Sequence, residues 1–325
     1  MSIWKHTFRG VLILANLIVG VGFLCCAYSP LVSPVTHPVF ACAGLFFPFF
    51  LLAMLGFVVV WLFHCRKLAC LPLAFLLLGG GAVLTYTPFK DGEDEADGEV
   101  MKFLTYNVMH MQGDTEEEGY PLRRYIQESD ADMVCLQEYL WDEQKTKKVF
   151  PMYPYRRLLK ASNGNGMACL SRFPILSVKQ ISYVSGNNAS FLLKLKMKED
   201  TLSLVCNHLE SNKLDAHDKE VYEGLLKSPN EQKVKSDSKY LLRKLADAVA
   251  IRGPQADSVA QVISRQSGKY LLVCGDFNDS PISYAHHTIG KGLTDAYREA
   301  GWGPGFSYNR NFLYFRIDHL FVNKG

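Results

Sequence analysis

From Gly10 to Cys65 the chain carries no Asp, Glu, Lys or Arg. A bilayer's hydrocarbon core is crossed by about 20 mostly apolar helical residues, so a charge-free stretch of this length points to a membrane. Three apolar runs follow one another, Gly10–Tyr28, Val39–Phe63 and Leu68–Tyr86, the last broken by Pro72 and by Gly79, Gly80 and Gly81. The pattern predicts three transmembrane helices within residues 1–89, in contact with lipid through residues 10–86. A cleaved signal peptide would account for the first run but not for two more directly behind it.

The flanks set an orientation. Lys5 and Arg9 precede the first run, and Arg66 and Lys67 stand in the second connection, His64–Lys67. The first connection, Ser29–Pro38, has three prolines and no charge, and reads as a short turn. Under the positive-inside rule both basic clusters lie in the cytoplasm. Three crossings then put everything after Lys90 outside it, giving a multi-pass protein of the cell membrane.

Five of the 35 basic residues and none of the 32 acidic ones lie in residues 1–90. The remainder therefore holds 30 basic against 32 acidic groups, a net of −2. That balance excludes a catalytic half that grips nucleic acid by charge alone. Lys90–Glu99 (KDGEDEADGE) has no large apolar residue and reads as an acidic linker, residues 90–99.

Beyond it, over residues 100–325, apolar runs shorten to strand length. Lys102–Val108, Met133–Gln137, Met167–Ser171, Phe191–Met197, Leu202–Asn207, Tyr270–Cys274 and Ile317–Val322 predict strands. Pro121–Ser129, Ser238–Ile251 and Asp257–Gln266 predict helices, and Asn163–Gly164 with Asn165–Gly166 predict a tight turn. Mixed strands and helices at this length predict a layered α/β sandwich. Of nine cysteines, Cys135, Cys169, Cys206 and Cys274 fall inside strands without metal or redox spacing, so they read as free and buried.

Polar residues at the ends of apolar strands are the candidates for chemistry: Asn107, Glu138, His208, Asp276, Asn278 and Asp318. Each alone is most simply a turn or cap residue. Asp276 and Asn278 are two apart, and in an extended segment they would face the same way. Phosphodiester hydrolysis needs neutralised phosphoryl oxygens, an oriented water and a stabilised leaving oxygen, and carboxylates, amides and a histidine can supply these.

The pieces FLTYNV, DADMVCLQE, GMACLSRFPI, VCNHLESN, LLVCGDFNDSP and LTDAYR…RIDHLFVN stand in an order that resembles the endonuclease/exonuclease/phosphatase superfamily. The resemblance covers roughly residues 100–325 and implies a four-layered sandwich, two packed mixed sheets flanked by helices, that hydrolyses phosphate esters. It implies Glu138 as the main Mg²⁺ ligand (Mn²⁺ the alternative), with Asn107 beside it as ligand and substrate contact. Asp276 would orient or deprotonate the attacking water, Asn278 would hold water or a phosphate oxygen, and His208 would meet the phosphoryl or leaving group. Asp318 matches a carboxylate that orients a catalytic histidine. Arg172 would meet phosphate if it lies near the cleft. Arg252 and Gln255 read as an exposed helix end, and Asp295 as structural.

The superfamily ends on a Ser-Asp-His-x-Pro motif, whereas this sequence stops at Gly325 after RIDHLFVNKG. His319 does not fill that role: no proline follows, and adjacent strand residues point to opposite faces, so it cannot share a cleft with Asp318. The domain over residues 100–325 is therefore expected to lack its last strand. The expected function is a membrane-anchored, metal-dependent phosphoesterase acting on a lipid head group, nucleic acid or small phosphodiester, with no protein partner inferred. The alternative is a catalytically silent, membrane-tethered binding module.

Overall fold

A computed structural model describes residues 3–90, 100–160, 166–186, 188–213, 217–218, 220–221, 224, 231–310 and 313–324. Most of the linker and the Asn163–Asn165 turn lie outside the described residues. The apolar half opens with α1 (Ile3–Tyr28), continues through α2 (Pro38–Ala41) and α3 (Phe47–His64), and closes with α4 (Cys70–Leu78) and α5 (Gly80–Tyr86). Two stretches, His6–Leu31 and Pro38–His64, are long and apolar enough to cross a membrane. The third predicted span is a bent pair, with α4 and α5 meeting at 67°. The bend falls at Gly79, where the Phe23 ring leaves no room for a side chain: a Cβ would sit 2.4 Å from it.

Leu14, Ile18, Leu52 and Leu77 are exposed on these helices, while Phe23, Phe47 and Met54 pack between them. The buried amide of Asn16 is satisfied, its Oδ1 accepting from Trp61 Nε1 at 3.0 Å. Phe8 packs on His64, ring centroids 5.8 Å apart, so the chain start and the basic connection at Arg66–Lys67 share one end of the unit.

The second half forms two sheets. In one, β1 (Phe103–Asn107), β2 (Met133–Gln137), β4 (Gly166–Ser171) and β3 (Tyr155–Lys160) lie in that order. In the other the order is β5 (Ile175–Ile181), β6 (Ser190–Met197), β7 (Asp200–His208), β8 (Tyr270–Asp276), β12 (Asp318–Asn323) and β9 (Leu293–Asp295). Their inner faces interlock through Met133, Cys135 and Cys169 from one and Leu193, Cys206 and Cys274 from the other. The outer face of the first sheet is covered by α6 (Pro121–Glu128) and α7 (Glu143–Val149), with Ile126 and Phe150 packed beneath. On the second sheet α8 (Glu231–Ser264) and α9 (Tyr284–Ile289) bury Val259, Ile263, Ala285 and Ile289. Helix, sheet, sheet, helix is the expected four-layered α/β sandwich. The four strand cysteines are free and buried, as expected.

The sequence predicted two helices where α8 runs unbroken through Gly253 and Pro254. A mid-helix proline forfeits one hydrogen bond, but the segment is pinned on both sides. Gly253 abuts Pro34, and Arg252 and Gln255 are buried. Tertiary contact outweighs the local break.

The two halves dock closely. Ala41 and Cys42 pack on Ala246 and Val249 of α8, and Ile282 inserts among Phe23, Phe47, Leu51 and Tyr86. Gly44 lies so close to the Ile282 carbonyl that a Cβ would approach its oxygen to 1.7 Å. At the other contact, the guanidinium of Arg316 donates to the Thr85 carbonyl at the end of α5.

Candidate active site

The sheet registers assemble the site. His208 at the end of β7 pairs with Asp276 at the end of β8, and Asp276 pairs with Asp318 at the start of β12. Three side chains named from sequence thus form one row across three neighbouring strands. The first sheet supplies Asn107, the last residue of β1, and Glu138, which directly follows β2.

One amide joins the two groups: Asn107 Nδ2 donates to Glu138 Oε1 at 3.1 Å and to Asp276 Oδ2 at 3.0 Å. Asn107 Oδ1 accepts from Met109 N at 3.0 Å. The residue predicted as a metal ligand beside Glu138 therefore turns its nitrogen, not its oxygen, toward the carboxylates. Glu138 Oε1 also lies 3.7 Å from His208 Nε2, and Glu138 Oε2 lies 3.9 Å from His110 Nε2. His110 escaped the sequence reading because nothing in YNVMHMQ marks it. Here Met109, His110 and Met111 all take positive φ, as does Glu138. Left-handed backbone at successive non-glycine residues is costly and concentrates at functional sites.

Burial and like charge govern the acids. Burial pushes the Asp276 carboxyl up to about 6, opposed by the Asn107 amide and the Asn278 backbone. Asp318 is raised to about 7, first by burial and then by Asp276. Its Oδ1 is buried without a hydrogen-bond partner. His208 is held below its ordinary range by burial, with Glu138 and Asp318 pulling the other way.

The loop after β8 is not extended. Asp276 Oδ1 accepts from Asn278 N at 2.8 Å and Asn278 has φ 52°, so the chain turns sharply. Asn278 Nδ2 donates to the Leu209 carbonyl at 2.9 Å. Strand alternation therefore does not align Asn278 with Asp276; it ties β8 to the exit of β7. The motif's glycine has a steric reason: Gly275 has φ 125°, and a Cβ there would lie 2.0 Å from the Asn207 carbonyl oxygen.

Two expectations are corrected. Arg172 follows β4, whose Ser171 pairs with Met133 at the opposite end of β2 from Glu138. There it forks onto Asp132 at 3.0 Å and onto Asp130, a structural clamp away from the cleft. Arg252 and Gln255, read as an exposed helix end, are each 1% exposed. Arg252 donates to Asp279 Oδ2 at 3.0 Å, to the Glu210 carbonyl at 2.5 Å and to Asn212 Oδ1 at 3.0 Å. It thereby holds both loops that leave β7 and β8. Its partners are 27 to 42 residues away, so no local signal marked it. His319 lies on the far face as expected, its Nε2 2.9 Å from the Asp279 carbonyl oxygen. Asp295 caps a short helix, α10 (Ala296–Ala300), and meets His286 at 3.0 Å, a structural role.

Acids, an amide and a histidine are thus gathered where the ends of the two sheets adjoin. A family model described as the Endonuclease/Exonuclease/phosphatase family matches residues 104–325, and the chain belongs to that family. Its enzymes are hydrolases of phosphate esters that use divalent metal ions. A second model, a domain of unknown function (DUF8431), matches residues 9–86. No curated protein matches the chain. Among solved structures, truncated Caenorhabditis elegans TDP2 is 15% identical, covering 69% of this chain and 84% of its own at a TM-score of 0.48. The human Nocturnin catalytic domain with bound sulfate anion is 13% identical, covering 69% and 83% at 0.48. A beta hairpin deletion mutant of Staphylococcus aureus beta toxin is 14% identical, covering 70% and 88% at 0.45.

Proposed function

We propose that this chain is a metal-dependent phosphoesterase, held in a membrane by α1–α5, that hydrolyses a phosphodiester or phosphomonoester. The reading rests on one observation: the His208–Asp276–Asp318 row faces Glu138 and is joined to it through Asn107. Asp276 accepts the proton of the attacking water, its raised carboxyl giving it the basicity for that task. His208, kept neutral by burial, donates a hydrogen bond to the phosphoryl group. Asn278 fixes the loop that carries Asp276, and Asp318 sets the field around both.

The donor set fits a hard divalent cation. Mg²⁺ takes oxygen ligands, Glu138 is partly open to solvent, and the buried Asp318 Oδ1 is unpartnered. Glu138 would hold the ion, Mg²⁺ or alternatively Mn²⁺, and Asn107 would fix the Glu138 carboxylate. When bound, the cation neutralises charge on the phosphoryl oxygens. The test uses the whole chain in detergent or vesicles with a soluble aryl phosphodiester. Hydrolysis should require Mg²⁺ or Mn²⁺, and Glu138→Ala should abolish it without altering the unfolding midpoint. Unchanged activity in that variant overturns the assignment.

We also propose that residues 1–89 are the anchor, 90–99 a linker and 100–325 the catalytic domain, which lies outside the cytoplasm. Both basic clusters sit at one end of the helical unit, and the catalytic half docks on the other, against Pro34, Gly44 and Thr85. A reporter that works only outside the cytoplasm, fused after Glu99, should be active. Activity of a cytoplasm-only reporter there would reverse the orientation.

A further inference from the structure

The segment that leaves α5 is stitched to the rim of the catalytic half. Lys90 N donates to the Gly301 carbonyl at 3.2 Å and Gly303 N to the Pro88 carbonyl at 2.9 Å. Phe89 and Trp302 meet edge to face between these bonds, ring centroids 5.8 Å apart. Tyr297 braces the loop, its hydroxyl donating to the Trp302 carbonyl at 2.8 Å. Trp302 is thus fixed at the level where the apolar helices end.

The same loop runs on to the cleft. Ser307 Oγ accepts from the backbone of Ile317 at 3.0 Å and of Asp318 at 3.1 Å. On either side of that contact, Phe306 and Tyr314 pair at 5.7 Å, the latter on a short strand, β11 (Leu313–Phe315). Phe89, Trp302, Phe306 and Tyr314 are 59%, 67%, 48% and 52% exposed. These are two exposed aromatic pairs, one at the end of a span and one beside the contact to Asp318, joined along the chain by Trp302–Phe306. Together they form an interaction surface, here called the band, rather than scattered apolar residues. Amphipathic rings at this level are typical of the membrane–water interface.

Below the band, an apolar groove opens where α4 and α5 bend. Leu51, Leu55, Leu77, Gly80 and Val83 line it together with Phe89. Phe89 thus belongs both to the groove and to the contact with Trp302, on the loop that reaches Asp318.

We propose that Trp302, Phe306 and Tyr314 rest in the headgroup layer of the bilayer crossed by α1 and α3. The cleft then takes a phosphate ester anchored in that bilayer, a lipid headgroup. The substrate part rests on the phosphoesterase reading above. Continuity with the spans identifies the occupant, because the band begins at Phe89, three residues after α5 ends.

The test reconstitutes the whole chain in vesicles. Two substrates are compared: a mixture of phosphatidylcholine, phosphatidylglycerol and phosphatidic acid, followed by release of water-soluble phosphorus, and a soluble aryl phosphodiester. Phe306→Ser with Tyr314→Ser should lower lipid hydrolysis at least tenfold and leave the soluble rate within twofold. Gly80→Leu fills the groove, since a Cβ there meets nothing within 4 Å, and should act the same way. Brominated lipids should quench the wild type more than Trp302→Phe. Hydrolysis of the soluble ester alone, or equal loss on both substrates, overturns the lipid assignment. Equal quenching of the wild type and Trp302→Phe overturns the contact. Hydrolysis of neither ester overturns the phosphoesterase reading itself, while quenching still decides the contact.

Discussion

The Asn107 amide reaches Asp276 Oδ2 across 3.0 Å, joining the last residue of β1 in one sheet to the last residue of β8 in the other. The same nitrogen holds Glu138. Asn107→Ala should therefore lower kcat on the aryl phosphodiester roughly a hundredfold, the scale of a lost polar group in a preorganised site. Its unfolding midpoint should move little, since Asn107 is only half-buried. A kcat within threefold of wild type would show that the link is not used in turnover.

Gly275 is the second test, and it concerns folding. Its φ of 125° is disfavoured for any side chain, and the Asn207 carbonyl occupies the place of a Cβ at 2.0 Å. Both strands lie in the core, so neither moves aside cheaply. Gly275→Ala should destabilise the chain by about 3 kcal/mol or more, the range of strain and overpacking together. Denaturant unfolding in detergent reads this directly, and a loss below about 1 kcal/mol would contradict the packing argument.

His319 gives the fold a pH dependence. Burial first, then His286 and Arg316, hold its imidazole well below the ordinary value of 6.5, against the Asp279 carbonyl and Asp295. The folded state keeps it neutral, while the unfolded chain takes up a proton below about 6.5. Stability from this group is therefore complete above pH 6.5 and is lost as pH falls, by up to about 1.4 kcal/mol per unit. His319→Phe, which keeps the ring packing against Phe277 and Phe321, should flatten the slope between pH 6.5 and 5. An unaltered slope would assign the acid sensitivity to another group.

These residues also mark what the sequence could reveal. Met133–Gln137 was legible to the residue because a fully buried strand is a continuous apolar run. Asn107, Glu138, His208, Asp276 and Asp318 each interrupt or end such a run, a weak sign alone that the order of the surrounding pieces lifted, and the sheet registers bring them together. The strands Tyr155–Lys160 and Ile175–Ile181 were not: they lie at sheet edges, where exposed charge hides the pattern. Arg172 misled because strand direction, not local sequence, decides which end of a sheet it occupies. Arg252 was invisible for a related reason, since its three partners come from segments 27 to 42 residues away. Nothing local to RGPQ announces burial.

Arg252 carries the last prediction. It is 1% exposed and the Asp279 side chain 6%, so the pair is sealed between α8 and the loop that continues to Ile282. Ile282 is in turn seated in the apolar helices. Breaking a buried pair from one side leaves an unpaired charge and costs about 3–5 kcal/mol, whereas removing both charges costs far less. Arg252→Met alone should therefore destabilise strongly, and Asp279→Asn added to it should restore much of the loss. Such a coupling in a double-mutant cycle distinguishes the ion pair from simple packing of the arginine stem. Because Arg252 also holds Glu210 and Asn212 beyond His208, the double variant should fold yet turn over the aryl phosphodiester more slowly, with kcat lowered and the metal requirement unchanged. Additive losses in the cycle would mean that Arg252 acts through its hydrogen bonds to the β7 loop and not through Asp279.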